Sequence, residues 1–144
     1  MISYVFLSPA TLSEADRGAI EQLLGQLSHR PITVSHEETE SILAQARVLA
    51  ARNEEGRMVG MASLYKMTLF GRTIGHVEQV VVDQNTRGQG IGRSLMEHLI
   101  AEARRLGISR MILTSRPERV EANQLYQRLG FSLYETNVYR MDLD

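Results

Sequence analysis

Apolar residues recur at two periods along this chain, and the places where the period changes mark its elements. Residues 4–7 form a short apolar run that reads as a first strand. Ser13 follows as a helix cap with Asp16 three residues on, and Ile20, Leu23, Leu24 and Leu27 then fall at i, i+3, i+4 and i+7, the stripe of a core-facing helix. The stripe breaks over residues 28–34, punctuated by Pro31. Ser35 with Glu38 opens a second helix to about Gln45, with Ile42, Leu43 and Ala46 turned inward. Residues 47–53 and 57–67 read as strands around Glu54-Glu55-Gly56, a hairpin signal in which the glycine supplies positive φ. Phe70-Gly71-Arg72 turns the chain into a further strand, 73–83, so the meander is antiparallel.

The period then switches. A polar turn, 83–86, leads into Arg87-Gly88-Gln89-Gly90-Ile91-Gly92 and a helix from about Gly90 to Leu106. Ile91, Leu95, Leu99, Ala103 and Leu106 share one face, widened by Met96 and Ile100, while Glu97, Glu102, Arg104 and Arg105 fall on the solvated side. Gly107 stops the helix, and Met111, Ile112 and Leu113 make a short buried strand, parallel to 73–83 because a helix connects them. Residues 121–129 read as another helix ended by Gly130, and 131–136 with 138–142 as a last hairpin around Asn137. This order predicts an α+β fold, a mixed central sheet flanked by helices in three layers. No repeat, linker or composition shift divides residues 1–144, so a single domain is expected.

Composition narrows the chemistry by exclusion. A chain of 144 residues can bury about two-thirds of its unfolded surface. A net charge of −1 with interspersed signs offers no basic field for nucleic acid. With no cysteine there is no disulfide, thiol nucleophile or thiolate metal site, and His29, His36 and His98 lack ligand spacing, so no metal is expected. The first ten residues lack the basic flank of a signal peptide, and no apolar run approaches the ~18 residues of a membrane span. The cytoplasm is the expected compartment, with no membrane partner.

The glycine loop is where chemistry enters. Glycines at a helix start expose backbone N–H groups beside the positive end of the helix dipole, which suits an anion and above all a pyrophosphate. A dinucleotide fingerprint would need glycine at 93 or 95, where Arg93 and Leu95 stand, and no lysine follows to make a triphosphate loop. Arg87-x-x-Gly90-x-Gly92 after a strand instead resembles the acetyl-CoA motif of the GNAT N-acetyltransferase superfamily. Val80-Val81-Val82 stands where that superfamily has its splayed central strand, and Ala122-Asn123-Gln124-Leu125-Tyr126-Gln127-Arg128-Leu129-Gly130-Phe131 is similar to its A-x-x-(F/L)-Y-x-x-x-G-F segment. Residues 75–104 look most like glucosamine-6-phosphate N-acetyltransferases, although Gln79 follows Glu78 where that subfamily tends to Asp, and Gln124-Leu125 stands in place of Val-x-Phe.

The resemblance implies acetyl transfer from acetyl-CoA to a primary amine of a small molecule, an amino sugar or an amino acid. Two alternatives stay open: a protein or peptide amine as acceptor, and a noncatalytic acyl-CoA-binding regulatory module. It implies a pyrophosphate site made by the backbone of Arg87, Gly88, Gln89, Gly90, Ile91 and Gly92, with charge from Arg87 and Arg93. Backbone groups of Val80, Val81 and Val82 would pair with the pantetheine arm, and N–H groups near Val80 and Val82 would receive the oxyanion, on the face opposite Val81 of an unbulged strand. Asn123 would hydrogen-bond the pantetheine. Tyr126 would act as the acid toward the leaving thiolate. Glu78 is the candidate base, acting through water, because an amine of pKa near 10 is only ~0.1% neutral at pH 7. His76, two residues away on the same strand face, is the second candidate. The last hairpin leaves an edge that could pair in a homodimer. Acceptor contacts are expected from residues 26–40, 65–75 and 116–121.

Overall fold

A computed structural model describes residues 1–144 as two compact units, residues 1–114 and residues 115–144. The first unit is a five-stranded sheet in the order β1-β2-β3-β4-β5, made of β1 (Ser3–Phe6), β2 (Ala46–Arg52), β3 (Met58–Leu69), β4 (Arg72–Val82) and β5 (Arg110–Ile112). The first four strands are antiparallel neighbours, and β5 runs parallel to β4. The helices of this unit are α1 (Glu14–Ser28), α2 (His36–Gln45) and α3 (Ile91–Arg105). The mixed α+β architecture expected from the pattern is the one observed.

The helix starts follow from their caps. Ser13 accepts from the Asp16 N–H at 3.1 Å and Asp16 Oδ2 accepts from the Ser13 N–H at 3.1 Å, a reciprocal capping box. Asp16 serves a second purpose: Arg52 of β2 grips the same carboxylate with two nitrogens at 2.7 and 3.0 Å, pinning α1 to the sheet. Ser35 caps α2 by accepting from the Glu38 N–H at 3.0 Å.

One face of the sheet carries a core of Leu7, Ile20, Leu23, Val34, Val48, Met61 and Val81, built from α1, its connector and the strands. The other face takes α3, whose Ile91, Leu95, Met96 and Leu99 are fully buried. Gly60 makes that approach close, since a Cβ there would meet Ile91, Leu95 and the Val81 carbonyl oxygen at 3.3 Å. Glu102 departs from the expected solvated side. It is 7% exposed, and its carboxylate accepts from Arg47 Nε of β2 at 2.7 Å and from Arg105 Nε and Nη2 at 2.7 and 2.8 Å. Arg105 lies on the solvated side as expected and from there pairs with Glu102, because a buried carboxylate needs its charge matched.

The second unit holds α4 (Val120–Arg128) followed by residues without regular structure. The hairpin expected over 131–142 is not formed. Two isolated strands are marginal in water unless a face is covered. Here Leu133, Tyr134, Val138, Tyr139, Met141 and Leu143 are 77–91% exposed, so neither face has the burial that would hold a hairpin together.

Candidate functional site

The site in residues 1–114 begins with an irregularity in β4. Glu78 stands opposite Ser63 and Val81 opposite Met61, so Gln79 and Val80 together face the single residue Ala62. That is a β-bulge, and Gln79 adopts φ 52, a left-handed conformation uncommon for a residue with a Cβ. The bulge corrects the expectation of an unbulged strand. In a regular strand Glu78 and Val81 would point to opposite faces; the extra residue brings both to the α1 side, Val81 into the core and Glu78 into the open.

The other edge of β4 opens at the same level. β5 pairs with β4 only at Ile74, Gly75 and His76, and β5 ends at Ile112. Beyond His76 the Val80-Val81-Val82 run has no strand on this edge, while its other edge is taken by β3, with Val81 opposite Met61 and Val82 opposite Gly60.

β4 leads into a 3-10 turn, Gln84–Thr86, and then the glycine loop. Gly88 and Gly90 take φ 84 and 77, and a Cβ at either would meet nothing within 4 Å. The space beside both is open, and what demands glycine is the backbone conformation. Gly90 is the N-cap of α3, so no side chain occupies the first N–H groups of the helix; the first helical bond is Ser94 N–H to Gly90 O at 3.1 Å. Unclaimed donors at the end of a 15-residue helix dipole fit a pyrophosphate. Arg87 donates from Nε to Val82 O at 3.2 Å, bending its side chain back along the strand, and Arg93 lies 3.7 Å from Glu97. Both residues are exposed.

Glu78 and His76 share a face and neither makes a side-chain hydrogen bond that would occupy it. Tyr65 was not singled out in the sequence beyond lying in a segment expected to contact the acceptor. It pairs with His76 across the strands, and it is pushed above the ordinary phenol value by burial and then by the Glu78 carboxylate nearby. Regular antiparallel pairing brings Tyr65, His76 and Glu78 to one face, and the bulge just beyond Glu78 adds Val81 to that side; no periodicity announces a bulge at a glutamine.

In residues 115–144 the two expected residues sit on α4. Tyr126 is 6% exposed and packs edge-on against Phe131 with centroids 6.1 Å apart. Burial pushes its phenol up, while the Arg119 guanidinium opposes. Asn123 donates from Nδ2 to Arg116 O at 2.9 Å, so its amide N–H is engaged locally and its Oδ1 is left to accept. Ser115 carries a buried hydroxyl without a partner.

Known proteins resemble the chain over most of its length. The glucosamine 6-phosphate N-acetyltransferase of Trypanosoma brucei brucei is 34% identical over 99% of this chain and 100% of its own length. Glucosamine 6-phosphate N-acetyltransferase 1 of Oryza sativa subsp. japonica is 31% identical over 87% of this chain and 79% of its own. A crystal structure of an acetyltransferase from Trypanosoma brucei superposes with a TM-score of 0.79 at 31% identity, covering 99% of this chain and 100% of that one. The family model described as the acetyltransferase (GNAT) family matches residues 17–131, a stretch that contains the bulged strand, the glycine loop and α4. With that match over most of its length, the chain belongs to the acetyltransferase (GNAT) family.

Proposed function

We propose that this protein moves the acetyl group of acetyl-CoA directly to the primary amine of a small amino sugar in a ternary complex, with glucosamine 6-phosphate as the first acceptor to test. The observation that carries the reading is the bulged β4, which presents Glu78 on one side, an open strand edge on the other, and continues into the glycine loop. The acceptor is suggested by the 34% identical relative matched end to end.

Bound acetyl-CoA supplies a thioester, an acyl group activated toward attack. Residues 87–92 would hold its pyrophosphate through backbone N–H groups, with Arg87 and Arg93 matching the charge. Glu78 takes, through a water, the proton that the acceptor ammonium must lose, offsetting a penalty of roughly 4 kcal/mol for an amine of pKa near 10 at pH 7. Backbone N–H groups near Val80 and Val82 receive the negative charge that develops on the carbonyl oxygen. The roles of Asn123 and Tyr126 rest on the likeness of residues 122–131 to the family's helix motif. A phenol raised above 10.0 stays neutral and is a weaker acid than a thiol. Tyr126 therefore stabilises the departing sulfur by donating a hydrogen bond, and the protons shed by the amine end on the thiol and in solvent.

The chain works as one domain in this reading, in the cytoplasm, and as a homodimer joined through residues 131–144. Their exposed apolar side chains support self-association. Supplied with acetyl-CoA and a panel of amino sugars, amino acids, polyamines and peptides, the protein is expected to release thiol with glucosamine 6-phosphate. Glu78→Gln is expected to lower kcat about 10²-fold or more while leaving acetyl-CoA affinity unchanged, and Tyr126→Phe to lower kcat to a smaller degree. Preference for a peptide would transfer the acceptor to the protein class; full activity in Glu78→Gln would remove the base.

A further inference from the structure

Gln26 lies in the last turn of α1, on the side of the helix that faces the end of β4. Its amide is used at both ends. Nε2 donates to Asp83 Oδ1 at 2.9 Å, and Oε1 accepts from the Gln84 N–H at 2.9 Å. Asp83 directly follows β4 and is 5% exposed. Its N–H donates to Val59 O at 2.8 Å, and its carbonyl accepts from the Thr86 N–H and Oγ1 at 2.9 and 3.0 Å. Arg87 then reaches back to Val82 O. The N–H, the carbonyl and one carboxylate oxygen of Asp83 are therefore committed, and the turn from 83 to 87 has its direction set from a helix residue 57 positions earlier in the chain.

That direction matters downstream. Gly88 and Gly90 have open space around them, and Gly90 caps α3 with no side-chain bond, so little inside the loop itself fixes where its N–H groups point. A loop free to reorient binds an anion with its affinity reduced by the fraction of time it spends in the competent form. A side-chain amide that grips both an acceptor and a donor of the preceding turn removes that freedom.

We propose that Gln26 is a positioning residue for acetyl-CoA: it holds residues 83–84 so that the glycine loop stays in its pyrophosphate-binding form. The proposal rests on the reading of residues 87–92 as the pyrophosphate cradle. Gln22 provides the control. It lies one turn earlier on the same helix face and accepts from Arg57 Nη2 at 3.1 Å, tying α1 to the start of β3 and not to the loop.

The test is calorimetric titration of CoA and dephospho-CoA into wild type, Gln26→Met, Gln26→Glu, Gln22→Met and Gly90→Val, with thermal melts and amide hydrogen exchange beside it. Gln26→Met is expected to weaken both ligands about tenfold, the order expected of lost side-chain hydrogen bonds. It should also speed exchange at Gly88 and Gly90 in the free protein. Gln26→Glu, which sets a like charge against Asp83, should lose at least as much and serves if the Met variant does not fold. Gln22→Met should bind as wild type does. Wild-type affinity in both Gln26 variants, with Gly90→Val impaired, would overturn the positioning role and leave the cradle standing. An equal loss in Gln22→Met, tracking the melting temperature, would also overturn it by making the effect one of general stability. Unimpaired binding by Gly90→Val, or no CoA binding by wild type, would bring down the cradle and this proposal with it.

Discussion

Tyr126 and Glu78, to which the proposed reaction gives different proton tasks, stand in opposite relations to water. Glu78 is exposed, whereas Tyr126 is buried and its phenol is pushed up by that burial. A phenol whose folded value lies above its unfolded one contributes stability below pH 10 that is lost as pH rises through the folded value. Denaturant titrations of wild type and Tyr126→Phe from about pH 9 to 11 should therefore show the wild-type advantage shrinking with pH. Both were picked out in the sequence as candidates, Tyr126 as part of a motif and Glu78 on the strand ahead of the glycine loop. Gln79 was not, because a left-handed glutamine has no signature: glycine is what a reader looks for at positive φ. Tyr65 was hidden for a related reason, since only the strand pairing brings it to His76 and Glu78.

At the scale of elements, α3 does two jobs with its two ends. Its N-terminus has no side-chain cap, which suits the anion site proposed there, and its C-terminal half is fastened to β2 by Glu102 between Arg105 and Arg47. Arg105, then Arg47, holds the Glu102 carboxyl at about 2, below its ordinary 4.5. A depressed carboxyl gives stability that is present above 4.5 and lost as pH falls toward about 2. Allowing for the exposure of the two arginines, we expect that contribution to be about 2 kcal/mol. Glu102→Gln should lose it at neutral pH and show a flatter decline between pH 4.5 and 2 in denaturant titrations. The helix itself was plain from its apolar stripe, but Glu102 was assigned to solvent. Periodicity sorts side chains by type, and a buried charge with two partners from different elements looks like any surface glutamate until the partners are known. The caps of α1 and α2 were legible for the converse reason, since all their partners lie within four residues.

The whole molecule raises the question of what its C-terminal residues are for. Six large apolar side chains exposed within residues 131–144 form a stretch that water does not favour. The two runs around Asn137 that suggested a hairpin are present in the sequence, and neither has the burial that would hold them together. In sedimentation velocity the full chain is expected to run at twice its mass. Leu133→Glu with Tyr139→Glu should return it to the monomer and leave the melting of residues 1–114 unchanged.

The bulge in β4 also makes part of this protein separable from the rest. Two residues, Gln79 and Val80, stand opposite Ala62, so removing Gln79 would leave one residue against one. Glu78 and Val81 would then be two positions apart in a regular strand and would still point to the same side. The shortened chain would keep its interior and its pairing and shed an unfavourable backbone angle, so it is expected to melt no lower than the parent. What it would lose is the local bend that aims backbone donors at a ligand. A deletion of one amino acid thus ought to yield a well-folded protein that still takes up CoA yet turns over at least 10²-fold more slowly, and thermal melts, calorimetry and thiol release on the same sample would show whether architecture and reactivity can be parted at a single position.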